Sequence, residues 1–539
     1  MMFVFLIAPS SNQAYVPAAP LGLSYLAACL PWEIIVQGLD LHVLKWVHGL
    51  QKGQILSMLE EYFERGTLTG DKPDCIGLTV YEETLAEGEA IARLAKRFGI
   101  YTVAGGIYPT MFPDLMPPVF DYLVRGRGEI SFGRLVELLR KTVDEDAILI
   151  NPSILGVSYH KSGGGWVHQE SDLEEEDQEA LSSILPRRAI FDAFNLGFHY
   201  YSARLVSSSG CPYQCSFCCN AVYANRQWIA RDIEDILREV EEVVQDPHIS
   251  EISFSDDQFL GFRLEHYQRA LQILERVEQI TKDRNIRINL QVRADHFLKA
   301  IEAVPELAVV MESINRQFKD PNPDASVRLY GKPMGGFSLD IGVESNIEER
   351  LLSFCKELSV TTNLKAIQKA KAMKLDLGVY MVLFTPDLTL EQLEVEIQIY
   401  LKEVLDTDVF SVISFYNLFK ELIPYKGAAA YDEMKQQGDL IEKEGYSGFR
   451  FRDPGVSCFY VIYLYELENG YLDAQKGRKK LTDRVAEIIS ICKLLKASPE
   501  LLQLSQQVVC VMNDMDLLDK TYQQIERLVH QWEEASLLD

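Results

Sequence analysis

The stretch Gly210-Cys211-Pro212-Tyr213-Gln214-Cys215-Ser216-Phe217-Cys218 places three cysteines at CxxxCxxC spacing, directly after an apolar run, Ala203 to Ser208, that reads as a strand. Three thiolates on one short loop can ligate three irons of a 4Fe-4S cluster and leave the fourth iron open to another ligand. The competing reading is a zinc knuckle or a chance gathering of core cysteines. Zinc ligands usually come as two well-separated pairs, and none are present here. Cys219 adjoins Cys218, which points its side chain elsewhere, so it is read as a non-ligand.

Downstream of this loop, strand-like runs recur at Glu251 to Ser255, Ile286 to Val292, Phe337 to Val343, Leu377 to Phe384 and Val409 to Ser414, separated by helical patterns. Six such units predict a partial or complete barrel over 199–424, with its active site at the carboxyl ends of the strands. Asn315 to Gly336, richer in Pro, Gly and charge, reads as an insertion loop. Beyond about 425 the pattern turns helical: Val485, Ile488, Ile489, Cys492 and Leu495 recur at helix spacing, and Ser498-Pro499-Glu500 reads as a helix start.

Upstream, strands at Met2 to Ala8, Ile34 to Asp40, Cys75 to Val80, Tyr101 to Ala104 and Tyr122 to Arg125 alternate with helices at Leu21 to Leu30, Thr84 to Phe98 and Ile130 to Val143. This alternation predicts a doubly wound parallel sheet, Rossmann-like, over 1–148, whose ligand lies at the strands' carboxyl ends. Residues 149–198 lose the rhythm, with Gly163-Gly164-Gly165 as a turn and Glu174-Glu175-Glu176-Asp177 as a solvated acidic run, and read as a linker. The expected class is therefore α/β: a doubly wound sheet, a (β/α)6 partial barrel and a mainly helical region over 425–539.

Composition narrows the function classes. With 539 residues the chain has room for two to four domains at roughly 100 to 200 residues each. Its 53 Lys+Arg against 79 Asp+Glu give a formal charge of −26, which opposes general affinity for phosphate backbones, so no nucleic-acid partner is expected. No apolar run reaches the ~20 residues of a membrane span. The first Lys is Lys45, so no basic secretory start is read, and a cytoplasmic location is expected. Four of the ten cysteines fall within nine positions, which in a reducing compartment favours a metal site over disulfides.

The strand, the cysteine spacing, the aromatic Phe217 before the last cysteine and the barrel pattern together resemble the radical S-adenosylmethionine (radical SAM) superfamily. The resemblance implies that Cys211, Cys215 and Cys218 hold a 4Fe-4S cluster whose open iron chelates S-adenosylmethionine (SAM), and that an electron cleaves SAM to a 5′-deoxyadenosyl radical. It also implies SAM contacts from Phe217, from Asp256 and Asp257 at the second strand end, from Arg293 at the third, and from Glu344 and Ser345 at the fourth. A flavodoxin or ferredoxin would supply the electron. Ser209 departs from the Arg that often precedes the Gly-Cys pair.

The N-terminal region is similar to the cobalamin-binding domain that precedes many such barrels. Pro20, Leu21, Gly22, Asp40, Thr79, Gly105, Gly106, Gly126, Gly128 and Glu129 occur in the order of that domain, which implies that they border cobalamin. The DxHxxG loop that gives cobalt a histidine elsewhere is absent; Asp40-Leu41-His42 lacks the closing glycine, and His42 is read as structural. The resemblance then implies a carbon methyltransferase acting on a small molecule, natural product or peptide: one SAM methylates cobalt, another supplies the radical, and the substrate radical takes the methyl group. A cyclase, rearrangement or oxidation enzyme, or a non-catalytic sensor, are the alternatives. The tRNA methylthiotransferase branch adds N-terminal cluster cysteines, whereas only Cys29 and Cys75 lie in this region.

Overall fold

The computed structural model describes residues 2–10, 18–66, 70–144, 154–160, 164–170, 184–219, 227–319, 335–404, 418–443, 446–469, 478–496, 498–505, 508, 510 and 515–536. It divides into two compact units, the first mainly Met1–Ser207 with Ala230–Ser253, the second mainly Ser208–Ile229, Phe254–Lys443 and Ser447–Asp539.

The first unit is built on a strand, β1 (Phe3–Ala8), whose residues are almost all apolar because both of its faces are covered. Side chains alternate across a strand, so Phe3, Phe5 and Ile7 enter one buried cluster while Val4 and Leu6 enter another. With β2 (Ile35–Asp40), β3 (Cys75–Thr79), β4 (Tyr101–Gly105) and β5 (Tyr122–Val124) it forms a parallel core of order β2-β1-β3-β4-β5. That order reverses direction between β1 and β3, the crevice where doubly wound sheets bind ligands.

Two differences from the sequence reading stand out. The segment read as a linker supplies β6 (Val157–His160) and β7 (Trp166–His168), which extend the same sheet antiparallel. Gly164 and Gly165, at φ +98° and +86°, sit in the connection between them. A helix over Lys52–Arg65, not foreseen, packs Ile55, Leu59 and Phe63 inward at four-residue spacing and is closed at its start by a Gln51–Gln54 capping box.

Asp40, at the end of β2, is 2% exposed. One carboxylate oxygen accepts from the His42 N–H at 3.0 Å, the other from the Tyr200 hydroxyl at 3.1 Å. Burial pushes its pKa up to about 6, against these two hydrogen bonds. The folded state thus holds the Asp40 proton more tightly than the unfolded chain, so its contribution to stability is present below about pH 4 and is lost as pH rises through 6. Asp40→Asn removes that dependence. Its stability relative to wild type is expected to rise by about 2 kcal/mol between pH 4 and pH 7 in urea unfolding; an offset equal at both pH values would contradict this.

A second sheet joins β8 (Ser202–Leu205), β11 (Glu251–Phe254), β12 (Arg287–Arg293), β13 (Phe337–Glu344) and β14 (Asp376–Met381) in chain order; between β8 and β11 the chain forms two two-residue strands, β9 (Ser208–Ser209) and β10 (Ile229–Ala230), which pair with each other. β12, β13 and β14 pair in parallel. The expected sixth strand, Val409 to Ser414, the acidic run and most of the expected insertion loop lie outside the described residues. The C-terminal segment is helical over Pro454–Glu468, Arg478–Leu495, Pro499–Ser505 and Met515–Ser536, and Val485, Ile488, Ile489, Cys492 and Leu495 are buried as their spacing predicts.

Candidate active site

Gly210 opens the cysteine loop at φ +83°, a backbone conformation that glycine adopts without strain. Its N–H donates to Asp257 at 3.0 Å, and the Ser208 hydroxyl donates to the fully buried Asp256 at 2.6 Å. The acidic pair at the second strand end therefore fastens the start of the loop. Farther along, Cys218 N–H donates to the Cys215 carbonyl at 3.1 Å, Ser216 N–H to the Phe354 carbonyl at 2.9 Å and Ala430 N–H to the Ser216 carbonyl at 2.8 Å.

Cys211, Cys215, Cys218 and Cys219 are half-buried. Burial raises the Cys211 and Cys215 thiol pKa values; the Tyr213 N–H opposes this at Cys211, and the Lys356 and Arg293 charges oppose it at Cys215. Among the described residues no three His, Cys, Asp or Glu side chains stand close enough together to hold a metal ion as placed. Three thiols on one pinned loop, with two cations acting on it, fit an iron-sulfur cluster by their donor chemistry, because ligation deprotonates each thiol.

The strand ends supply the surroundings. Arg293, at the end of β12, is buried; its Nε donates to Asp295 at 3.2 Å and its Nη2 to the Lys356 carbonyl at 2.9 Å. Glu344 ends β13 beyond a register shift at φ +66°, a strained position for a non-glycine residue. Its carboxylate accepts from Lys356 Nζ at 2.8 Å, and that ammonium lies 6.0 Å from the Phe217 ring centre. Phe217 also meets Phe354 edge-on at 5.7 Å. Lys356 thus ties Phe217, Arg293 and Glu344 together, and nothing in its sequence surroundings signals this.

Ser345 is placed differently from the expectation. Fully buried, it donates to Glu396, whose other oxygen accepts from the Asn346 N–H at 2.7 Å and which pairs with buried Arg350 at 3.2 Å. Its hydroxyl braces the strand end, and Asp256 accepts from Ser208. Glu396→Ala strands the Arg350 charge in the interior and is expected to cost about 3 to 5 kcal/mol. A urea midpoint equal to that of wild type would contradict this.

Residues 205–398, which span the loop and these strand ends, match the model of the radical SAM superfamily. The chain carries a radical SAM domain. An uncharacterized methyltransferase of Pyrococcus horikoshii is 24% identical over 77% of this chain and 81% of its own length. Among solved structures, the cobalamin-dependent radical SAM enzyme OxsB covers 100% of this chain and 81% of its own at 16% identity, with TM-score 0.64. The radical SAM methyltransferase TsrM of Kitasatospora setae covers 81% of this chain and 78% of its own at 17% identity, with TM-score 0.54. The chain therefore shares the fold of cobalamin-dependent radical SAM enzymes, and a radical SAM domain works with a 4Fe-4S cluster and SAM.

The first unit holds the residues that the resemblance assigns to cobalamin. Pro20 precedes the helix Leu21–Ala28, where Gly22 is exposed and a Cβ built on it meets nothing within 4 Å. Gly106, at φ +105°, is explained by packing: a Cβ there would lie 3.2 Å from Thr79 Cγ2 and from the Val80 carbonyl. Gly105 abuts the Val124 carbonyl, and a Cβ on Gly128 would lie 3.1 Å from Val124 Cγ1. Gly126 donates to Thr110 at 2.9 Å. Glu129 pairs with Arg127 at 3.6 Å and lines a cavity of about 650 Å³ together with Cys29, Arg134 and Lys141. Asp40 is enclosed, as described above. Of these positions, Gly22 is exposed and has room for a Cβ, and the strand order reverses between β1 and β3, where doubly wound sheets bind ligands.

Proposed function

We propose that the protein is a cobalamin-dependent radical SAM enzyme that methylates an unactivated carbon of a small-molecule or natural-product substrate. The observation that carries the reading is the pinned CxxxCxxC loop with Arg293, Lys356 and Glu344 beside it, in a chain that also contains a doubly wound unit whose strand order reverses between β1 and β3. When bound, the cluster and SAM supply a 5′-deoxyadenosyl radical, and cobalamin supplies the methyl group.

The chain's own residues have separable tasks. Cys211, Cys215 and Cys218 hold iron, and Asp256 and Asp257 keep their loop in place. Arg293 and Lys356 provide positive charge suited to the carboxylate of SAM, and Glu344, besides pairing with Lys356, provides a carboxylate suited to an ammonium or hydroxyl. A flavodoxin or ferredoxin in the cytoplasm is the proposed electron source. No helix among the described residues is long and apolar enough to cross a membrane.

The direct test is anaerobic reconstitution with iron, sulfide and cobalamin, followed by gel filtration and an absorption spectrum. Cobalamin should co-elute with the protein, and SAM should yield S-adenosylhomocysteine as its methyl group is transferred. Protein that loads iron but retains no cobalamin would overturn the methyltransferase reading. A second reading is favoured by one relative, the 4′-phospho-dehydrooxetanocin synthase of Priestia megaterium, 21% identical over 59% of this chain and 41% of its own length. Ring formation or rearrangement would give 5′-deoxyadenosine with substrate but no S-adenosylhomocysteine.

A further inference from the structure

Tyr213 lies inside the cysteine loop, between Cys211 and Cys215, yet it is held by residues far from the loop in sequence. Its hydroxyl is hydrogen-bonded to Nε2 of His296, which is 2% exposed in the first turn of the helix Ala294–Ala303. The other ring nitrogen, Nδ1, is 2.9 Å from the hydroxyl of Tyr267, itself buried on the helix Leu264–Thr281. Burial lowers the His296 pKa to about 4 even against the neighbouring Asp295, so the ring is neutral. A neutral imidazole donates through one nitrogen and accepts through the other, which links the two tyrosines into one directed chain.

The ring of Tyr213 is fixed as well. The Arg293 guanidinium lies over it, 3.6 Å from the ring centre, close enough for a strong cation–π contact. Arg293 is itself held by Asp295 and by the Lys356 carbonyl.

We propose that Tyr213 is a positioning residue: anchored through His296 to Tyr267, it holds the cysteine loop and the Arg293 charge at a fixed separation and so sets the reduction potential of the cluster the loop carries. The inference rests on the reading of that loop as the cluster site. A cation held close to a cluster favours its more negative, reduced form, and releasing the cation lowers the potential. Packing alone would require only the aromatic ring; the hydroxyl–imidazole–hydroxyl chain adds control of where the ring stands.

The experiment is an anaerobic redox titration of the reconstituted full-length protein, followed by electron paramagnetic resonance, on wild type and four variants. Tyr213→Phe keeps the ring and loses the tether, His296→Leu breaks the chain at its centre, His296→Gln keeps a hydrogen-bonding side chain, and Tyr267→Phe breaks the far end. At unchanged iron content, Tyr213→Phe and His296→Leu should each lower the ratio of reduced to oxidised cluster about tenfold at the wild-type midpoint, equivalent to about 59 mV for a one-electron couple. His296→Gln should recover most of the loss. Wild-type potentials in both Tyr213→Phe and His296→Leu would overturn the proposal. If Tyr213→Phe loads no iron, His296→Leu and Tyr267→Phe decide it in the same way, away from the loop. Wild-type protein that binds no iron would instead refute the cluster reading itself.

Discussion

Replacing any one of Cys211, Cys215 or Cys218 by alanine is expected to remove bound iron and abolish SAM cleavage, whereas Cys219→Ala retains both. Each of the three thiolates serves a different iron, so none can substitute for another. The structure shows the loop that carries the three fastened at Gly210 by Asp257 and at Ser216 by Phe354 and Ala430. The effect should be all-or-none in iron and sulfide analysis. Iron at wild-type content in the Cys215→Ala protein would contradict the assignment.

The second large effect is expected at Gly22. A tryptophan there should abolish cobalamin binding while leaving iron content and the cluster spectrum as in wild type. The position is chosen because it is exposed and a Cβ built on it meets nothing within 4 Å, so a bulky group there presses least on the fold and most on an incoming flat ligand. Gly105 looks equivalent in the sequence but serves less well, because its Cβ would press on the Val124 carbonyl at 3.4 Å and a large group would disturb β4 and β5 themselves. Gly22→Trp protein that still binds cobalamin as wild type does would remove this position from the cobalamin site.

The parts of the fold that could be read from the sequence are those in which one physical signal dominates. β1 and β3 are short, almost wholly apolar runs, because their sheet is covered on both faces, and their bounds follow from that alone. The cysteine loop was legible because its ligand spacing is local. β6 and β7 were missed because they are only 4 and 3 residues long and carry polar residues such as Ser158, His160 and His168.

The candidate site was legible position by position but not side chain by side chain. Glu344 and Ser345 are neighbours at one strand end, yet the first meets Lys356 and the second turns to Glu396. A register shift and a left-handed backbone at Glu344 decide which way each points, and neither leaves a trace in composition. Lys356 lies between the helices Glu348–Ser353 and Val360–Ala372, outside any periodic pattern, so its contact with Glu344 appears only once the chain is folded.

The central claim is that one chain joins radical generation to methyl transfer. The measurement that tests it most directly is the quantification of 5′-deoxyadenosine and S-adenosylhomocysteine from SAM, using anaerobically reconstituted, reduced protein with and without cobalamin. The account predicts 5′-deoxyadenosine in both samples and S-adenosylhomocysteine only with cobalamin. Fully iron-loaded protein that forms neither product would contradict it.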